Sequence, residues 1–81
     1  MISMHVVIAK VSEVYFDGEA HSLTVPGKDG EMTVLGEHMP LITTLKAGTI
    51  TLTEVEGGAK REFPVTGGVL EVRRDGATVI L

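Results

Sequence analysis

Thr49-Ile50-Thr51-Leu52-Thr53, running on through Glu54-Val55-Glu56 to the pair Gly57-Gly58, decides the fold of this chain. Its side chains alternate with period two, so Ile50 and Leu52 fall on one face of an extended strand and the threonines on the other. The branched side chains of Thr and Ile suit a pleated surface, and two glycines are what a tight reversal needs. The same alternation recurs outward from this stretch. Leu70-Glu71-Val72-Arg73 puts Leu70 and Val72 on one side, His21-Ser22-Leu23-Thr24-Val25 does so for Leu23 and Val25, and Met32-Thr33-Val34 for Met32 and Val34. These apolar residues are the expected core.

Ten glycines punctuate the chain and leave no interval with a helical period. Asp17-Gly18, Gly57-Gly58 and Asp75-Gly76 read as three hairpin turns. Pro26-Gly27-Lys28-Asp29-Gly30 and Lys46-Ala47-Gly48 read as longer turns, while Gly67-Gly68 inside an apolar stretch reads as a bulge or a close backbone approach. The pattern predicts eight to ten short strands in an antiparallel β-sandwich or flattened barrel. With 81 residues, 43% hydrophobic and 22% charged, the expectation is one domain over residues 1–81. A chain of this size buries only about 60–65% of its unfolded surface, and with no cysteine no disulfide supplements the core.

The formal net charge of −4 and the scatter of the basic residues exclude a protein held to nucleic acid or anionic lipid by charge. The longest apolar runs, Val6-Val7-Ile8-Ala9 and Val79-Ile80-Leu81, fall far short of the ~20 residues of a membrane-spanning helix. Met1-Ile2-Ser3-Met4-His5 lacks the basic start, long apolar segment and cleavage site of a signal peptide, so a cytoplasmic, reducing compartment is expected.

Catalytic chemistry finds little material. His5, His21 and His38 are too far apart in sequence for two of them to grip one ion from a single strand or turn, so no metal, cofactor or catalytic residue is expected. Gly27-Lys28-Asp29-Gly30-Glu31 lacks the spacing of a phosphate-binding loop, and its two carboxylates would repel phosphate. Glu54 and Glu56 share a strand face beside a turn and read as solvated. What stands out is Met39-Pro40-Leu41-Ile42, apolar loop material next to His38 that suggests a protein partner. A free-standing sandwich binding a small ligand or metal is the alternative, and it would need polar groups converging in a concavity.

Taken in order, Asp17-Gly18-Glu19, Val25-Pro26-Gly27, Gly30-Glu31, Val34-Leu35, His38, Pro40-Leu41-Ile42-Thr43, Leu45-Lys46-Ala47-Gly48 and Val65-Thr66-Gly67-Gly68-Val69-Leu70-Glu71-Val72 resemble the epsilon subunits of F-type ATP synthases, from about His5 to Leu81. The resemblance implies a ten-stranded β-sandwich at the foot of the rotor. Such a domain is a non-catalytic coupling piece of the central stalk in a complex that uses proton transport for ATP synthesis. It also implies that Lys28, Asp29, Gly30, Glu31 and Met32 face the polar loops of the membrane c-ring, and that His38, Met39, Pro40, Leu41, Ile42 and Thr43 face the gamma subunit. Gly67 and Gly68 are the expected structural glycines. The implied location is peripheral, on the cytoplasmic face of a bacterial inner membrane, by way of the complex. Family members usually carry Pro-Gly before the histidine, where this chain has Gly36-Glu37. Full-length members continue into a C-terminal helical hairpin that inhibits hydrolysis and in some bacteria binds ATP; with Leu81 as the last residue, no ATP binding is expected of this chain.

Overall fold

The structure, a computed structural model, describes residues 3–81; Met1 and Ile2, part of the segment read against a signal peptide, lie outside the described residues. Nine strands follow one another: β1 (Met4–Lys10), β2 (Glu13–Ala20), β3 (Ser22–Gly27), β4 (Gly30–Leu35), β5 (Leu41–Leu45), β6 (Gly48–Thr53), β7 (Lys60–Val65), β8 (Gly68–Arg73) and β9 (Gly76–Ile80). No helix occurs among the described residues. The strands join in one curled sheet in the order β2-β1-β9-β8-β5-β3-β6-β7, with β4 on β3.

Curling divides that sheet into two layers, because β5 and β3 share only one register pair, Gly27 with Leu45. One layer is β2-β1-β9-β8-β5 and the other is β4-β3-β6-β7. Both send apolar side chains inward to a single cluster: Val6, Ile8, Leu70, Ala77 and Val79 from the first, and Leu23, Val25, Val34, Ile50 and Leu52 from the second, all fully buried. The period-two reading of Ile50, Leu52, Leu23, Val25, Leu70, Val72 and Val34 places each of them inside, with Met32 packed at the margin. All strand pairs are antiparallel except β1 with β9, which run parallel from His5 opposite Gly76 to Ala9 opposite Ile80.

Two of the expected turns are placed differently. Asp17-Gly18 is the middle of β2, with Asp17 opposite Val7 and Gly18 opposite Val6. His5 reaches across the ladder to the Asp17 carboxylate at 2.7 Å, and the Phe16 ring lies over Gly18, 3.5 Å from where a Cβ would stand. Both contacts favour continued strand over reversal. The chain instead reverses at Val11-Ser12, closed by Lys10 opposite Glu13, a two-residue loop with no glycine to announce it. In the β8–β9 hairpin the loop is Arg74-Asp75, closed by Arg73 opposite Gly76, so Gly76 already belongs to β9. Gly57-Gly58 lies between β6 and β7 and Lys46-Ala47 between β5 and β6, where turns were expected.

Gly67 and Gly68 differ in their surroundings. Gly68 has φ of +144°, and a Cβ there would stand 2.7 Å from the Ile80 carbonyl oxygen. At Gly67 the nearest atom, the Leu45 carbonyl oxygen, would be 3.6 Å away, an ordinary contact. Gly68→Ala should therefore lower the unfolding free energy by about 1–3 kcal/mol, through a rarely populated backbone conformation and a blocked approach of β9. Gly67→Ala should change it by less than about 0.5 kcal/mol. Denaturant titration of the two variants checks this, and equal stabilities would contradict it.

Candidate functional site

The two loops singled out in the sequence lie at opposite ends of β5. Gly27 pairs with Gly30 across the two-residue loop Lys28-Asp29, and Gly27 also faces Leu45 at the far end of β5. The Lys28 amide donates to the Thr44 carbonyl at 2.9 Å, which fastens the base of this hairpin tip to β5. Lys28, Asp29, Gly30 and Glu31 are exposed there, while Met32 packs against the core. The other loop, His38 to Pro40, enters β5 at Leu41, four residues or about 13 Å along the strand from Leu45. The structure thus separates the two groups of residues.

Within the second loop each side chain has a distinct setting. Glu37 has φ of +63°, a left-handed conformation uncommon for a residue with a Cβ. It turns the chain out of β4. His38 Nδ1 donates to the Met39 carbonyl oxygen at 2.8 Å. Met39 is 78% and Ile42 73% exposed, whereas Leu41 packs against the core. Thr43 is half-buried one strand position beyond.

Ile42 does not stand alone on its face. The registers align Ile42, Glu71, Thr78, Val7 and Asp17 across β5, β8, β9, β1 and β2, and beside that row they align Thr44, Val69, Ile80, Ala9 and Val14. Val69, Ile80 and Val14 are exposed, so with Ala9 the second row forms an apolar stripe across β8, β9, β1 and β2, beside a first row that mixes Ile42 and Val7 with Glu71, Thr78 and Asp17. Sequence reasoning reached only Ile42. The signal was present in Val6-Val7-Ile8-Ala9 and Val79-Ile80-Leu81, apolar in both phases of the strand, where one buried face requires only one. The other layer differs: Thr24 and Thr33 share a hydrogen bond of 2.9 Å on its outer side, next to Ser22, Thr49 and Thr51.

Charged groups border the apolar surface. His5 lies between two carboxylates, with Nε2 at 2.7 Å from Asp17 and Nδ1 at 3.3 Å from Glu19, and Ser3 donates to Glu19 at 3.0 Å. The carboxylates meet opposite nitrogens of one ring and do not converge on a common point; no group of three or more His, Asp or Glu among the described residues is arranged to hold a metal ion. Arg73 stands 3.6 Å from Glu71 and 3.7 Å from Asp75 and donates to the Thr78 hydroxyl at 2.9 Å. His21, at the passage from one layer to the other, is half-buried with its Nδ1 lacking a partner, and its amide donates to the Thr53 carbonyl at 2.8 Å. Glu54 and Glu56 are exposed, Glu54 paired with Arg61 at 3.3 Å.

Comparison with known proteins places this chain in a family. The family model described as ATP synthase, Delta/Epsilon chain, beta-sandwich domain matches residues 3–81. The chain belongs to that family. ATP synthase epsilon chain 2 of Burkholderia orbicola is 42% identical over 78 residues, covering 96% of this chain and 51% of the relative. Among solved structures, a chain of the Euglena gracilis mitochondrial ATP synthase, determined as OSCP/F1/c-ring, superposes with a TM-score of 0.88 at 21% identity, covering 96% of this chain and 49% of that one. A chain of the Tetrahymena thermophila mitochondrial ATP synthase central stalk and c-ring gives 0.76 at 19% identity, covering 95% and 61%. At such identities the likeness establishes the fold. The chain spans about half the length of the curated relatives it matches. For this family member the strained backbone at Glu37 gives a direct test: Glu37→Gly should raise the unfolding free energy by about 0.5–1 kcal/mol, the left-handed penalty less the added freedom of the unfolded chain. A lower melting temperature for the variant would mean that the Glu37 side chain has a stabilising contact of its own.

Proposed function

We propose that this chain is the β-sandwich of an epsilon-type rotor subunit in an F-type ATP synthase, non-catalytic itself, coupling the gamma subunit to the membrane c-ring so that proton movement drives ATP synthesis. The observation that carries the reading is the pairing of two unlike surfaces on one stiff body. At one end of β5 is the exposed polar tip Lys28, Asp29, Gly30 and Glu31, with Met32 behind it, suited to polar loops of the ring. At the other end is the apolar loop His38, Met39 and Pro40, continuous through Ile42 with the outer surface of Val69 and Ile80, suited to a protein groove. A coupling element needs two attachments and little give between them, and strands hydrogen-bonded through a shared core supply that stiffness. The relatives named epsilon chain support the assignment. Work of this kind calls for no cofactor. In a bacterium the complex would hold the chain peripherally at the cytoplasmic face of the inner membrane.

Exposure refines which residues of the gamma-facing segment act as anchors. Leu41 contributes to the core, so its removal would confound binding with folding, whereas Met39 and Ile42 project outward. The double variant Met39→Ser with Ile42→Ser should weaken binding to the gamma subunit of the same ATP synthase by roughly 1–3 kcal/mol while leaving the melting temperature within a few degrees of the parent. Isothermal titration measures it. Unchanged affinity would move the gamma-binding surface elsewhere, and Lys28→Ala with Glu31→Ala weakening gamma binding instead would exchange the roles of the two ends.

A further inference from the structure

The curled sheet does not close on itself. Its terminal strands, β2 and β7, belong to different layers, and each pairs with one neighbour, β1 and β6 respectively. They nonetheless face each other: Tyr15 of β2 and Glu62, Phe63 and Pro64 of β7 line one cavity of about 220 Å³ together with Leu81. Along this seam the layers are joined by side chains alone, and part of it is hollow. Arg61 spans it. On β7 it stands opposite Leu52, and directly opposed side chains of an antiparallel pair share a face. Leu52 is fully buried, so Arg61 occupies an inward-facing position, where an apolar residue is the ordinary choice. Its Cζ lies 5.2 Å from the centroid of the Phe16 ring on β2 and 5.9 Å from that of Phe63 on its own strand, both within the range of cation–aromatic attraction. With 51% of the side chain still exposed, the guanidinium also donates to Glu54 at 3.3 Å. The contact of Lys10 with the Tyr15 ring, at 5.8 Å, stays within one layer. β2 is shaped to meet Arg61. Its register passes from Phe16 opposite Ile8 to Val14 opposite Ala9, which makes Tyr15 the extra residue of a bulge. Val14 turns outward, Tyr15 packs against the core and Phe16 is buried, so two consecutive aromatic residues point inward where plain alternation gives one.

We propose that Arg61 is a clasp across the open seam, holding β7 to β2 through the Phe16 ring, with the bulged segment of β2 as its seat. Parting of the layers on this side requires the guanidinium to leave Phe16. The clasp serves the body of the sandwich itself, whichever partners attach to its two ends.

Amide hydrogen exchange under native conditions, read strand by strand by NMR, tests the clasp. Arg61→Ala should speed exchange about three- to tenfold at hydrogen-bonded amides of β2 as well as β7, although no ladder joins those strands. Arg61→Lys keeps the charge but loses the flat face that stacks on a ring, so its acceleration should be smaller. Glu54→Gln should stay within about twofold of the parent, because an exposed ion pair holds little. The side-chain protons of Arg61 should be shifted upfield by the ring current of Phe16 and should move toward ordinary values in Phe16→Leu. That variant also trims the core, so a cycle separates the two effects: acceleration in the double variant, Arg61→Ala with Phe16→Leu, should fall short of the product of the single ones. Acceleration confined to β7, a multiplicative double variant, or Arg61 protons at ordinary shifts would each overturn the clasp. So would Glu54→Gln matching Arg61→Ala, since the ion pair and not the ring would then be what Arg61 contributes.

Discussion

Two backbone hydrogen bonds form the joint on which the two layers turn: the Lys28 amide to the Thr44 carbonyl and the Lys46 amide to the Pro26 carbonyl, each 2.9 Å. They flank the single register pair of Gly27 with Leu45, the place where the curled sheet passes from one layer to the other. Because that contact is so short, β5 is free to run with β8 along its length while β3 turns away to pair with β4 and β6. Leu45, Val25 and Ile50 are buried close to the joint along the chain, so the joint is anchored in the core.

The same joint sets the relation between the two surfaces. It ties the hairpin tip at Lys28 to one end of β5, and β5 carries Ile42 and the entry from Pro40 at its other end. Displacing one end therefore strains backbone hydrogen bonds in the middle of the sheet, which are numerous and act together. The layers also differ in what they show to solvent. Threonine hydroxyls cover one outer side, and Ile42, Val69, Ile80 and Val14 the other. An apolar outer surface on a small sandwich brings no benefit to the isolated fold and exposes it to self-association, so its presence is best understood through a partner.

Much of this was legible in the sequence, and the reasons are specific. Thr49 to Thr53 and Leu70 to Arg73 alternate so regularly that only an extended strand hides their apolar residues, and the core followed from that. Asp17-Gly18 misled because dipeptide statistics weigh local preference, while the His5 contact to Asp17 and the Phe16 ring over Gly18 depend on a strand pairing that no local window contains. Val11-Ser12 was invisible for the complementary reason: its turn is imposed by the strands on either side. The parallel pairing of β1 with β9 was likewise beyond local reading. At the candidate site, the loop at Met39 was found because its residues are apolar where loops are polar, yet its extension over Val69 and Ile80 required knowing which strands are neighbours.

The parallel pairing has a consequence for how the chain is made. β1 lies between β2 and β9, and its partners in β9 stand about seventy positions further along the chain. During synthesis at the ribosome the β1–β2 hairpin emerges early and then waits, one edge of Val6, Val7, Ile8 and Ala9 unpaired, until the ninth strand leaves the exit tunnel. Closing so long a loop is entropically slow, and the sheet cannot acquire its central strand order in stages. Completion of this sheet thus waits on β9, and a nascent chain stalled before β9 would present an unpaired strand edge of the kind prone to aggregation.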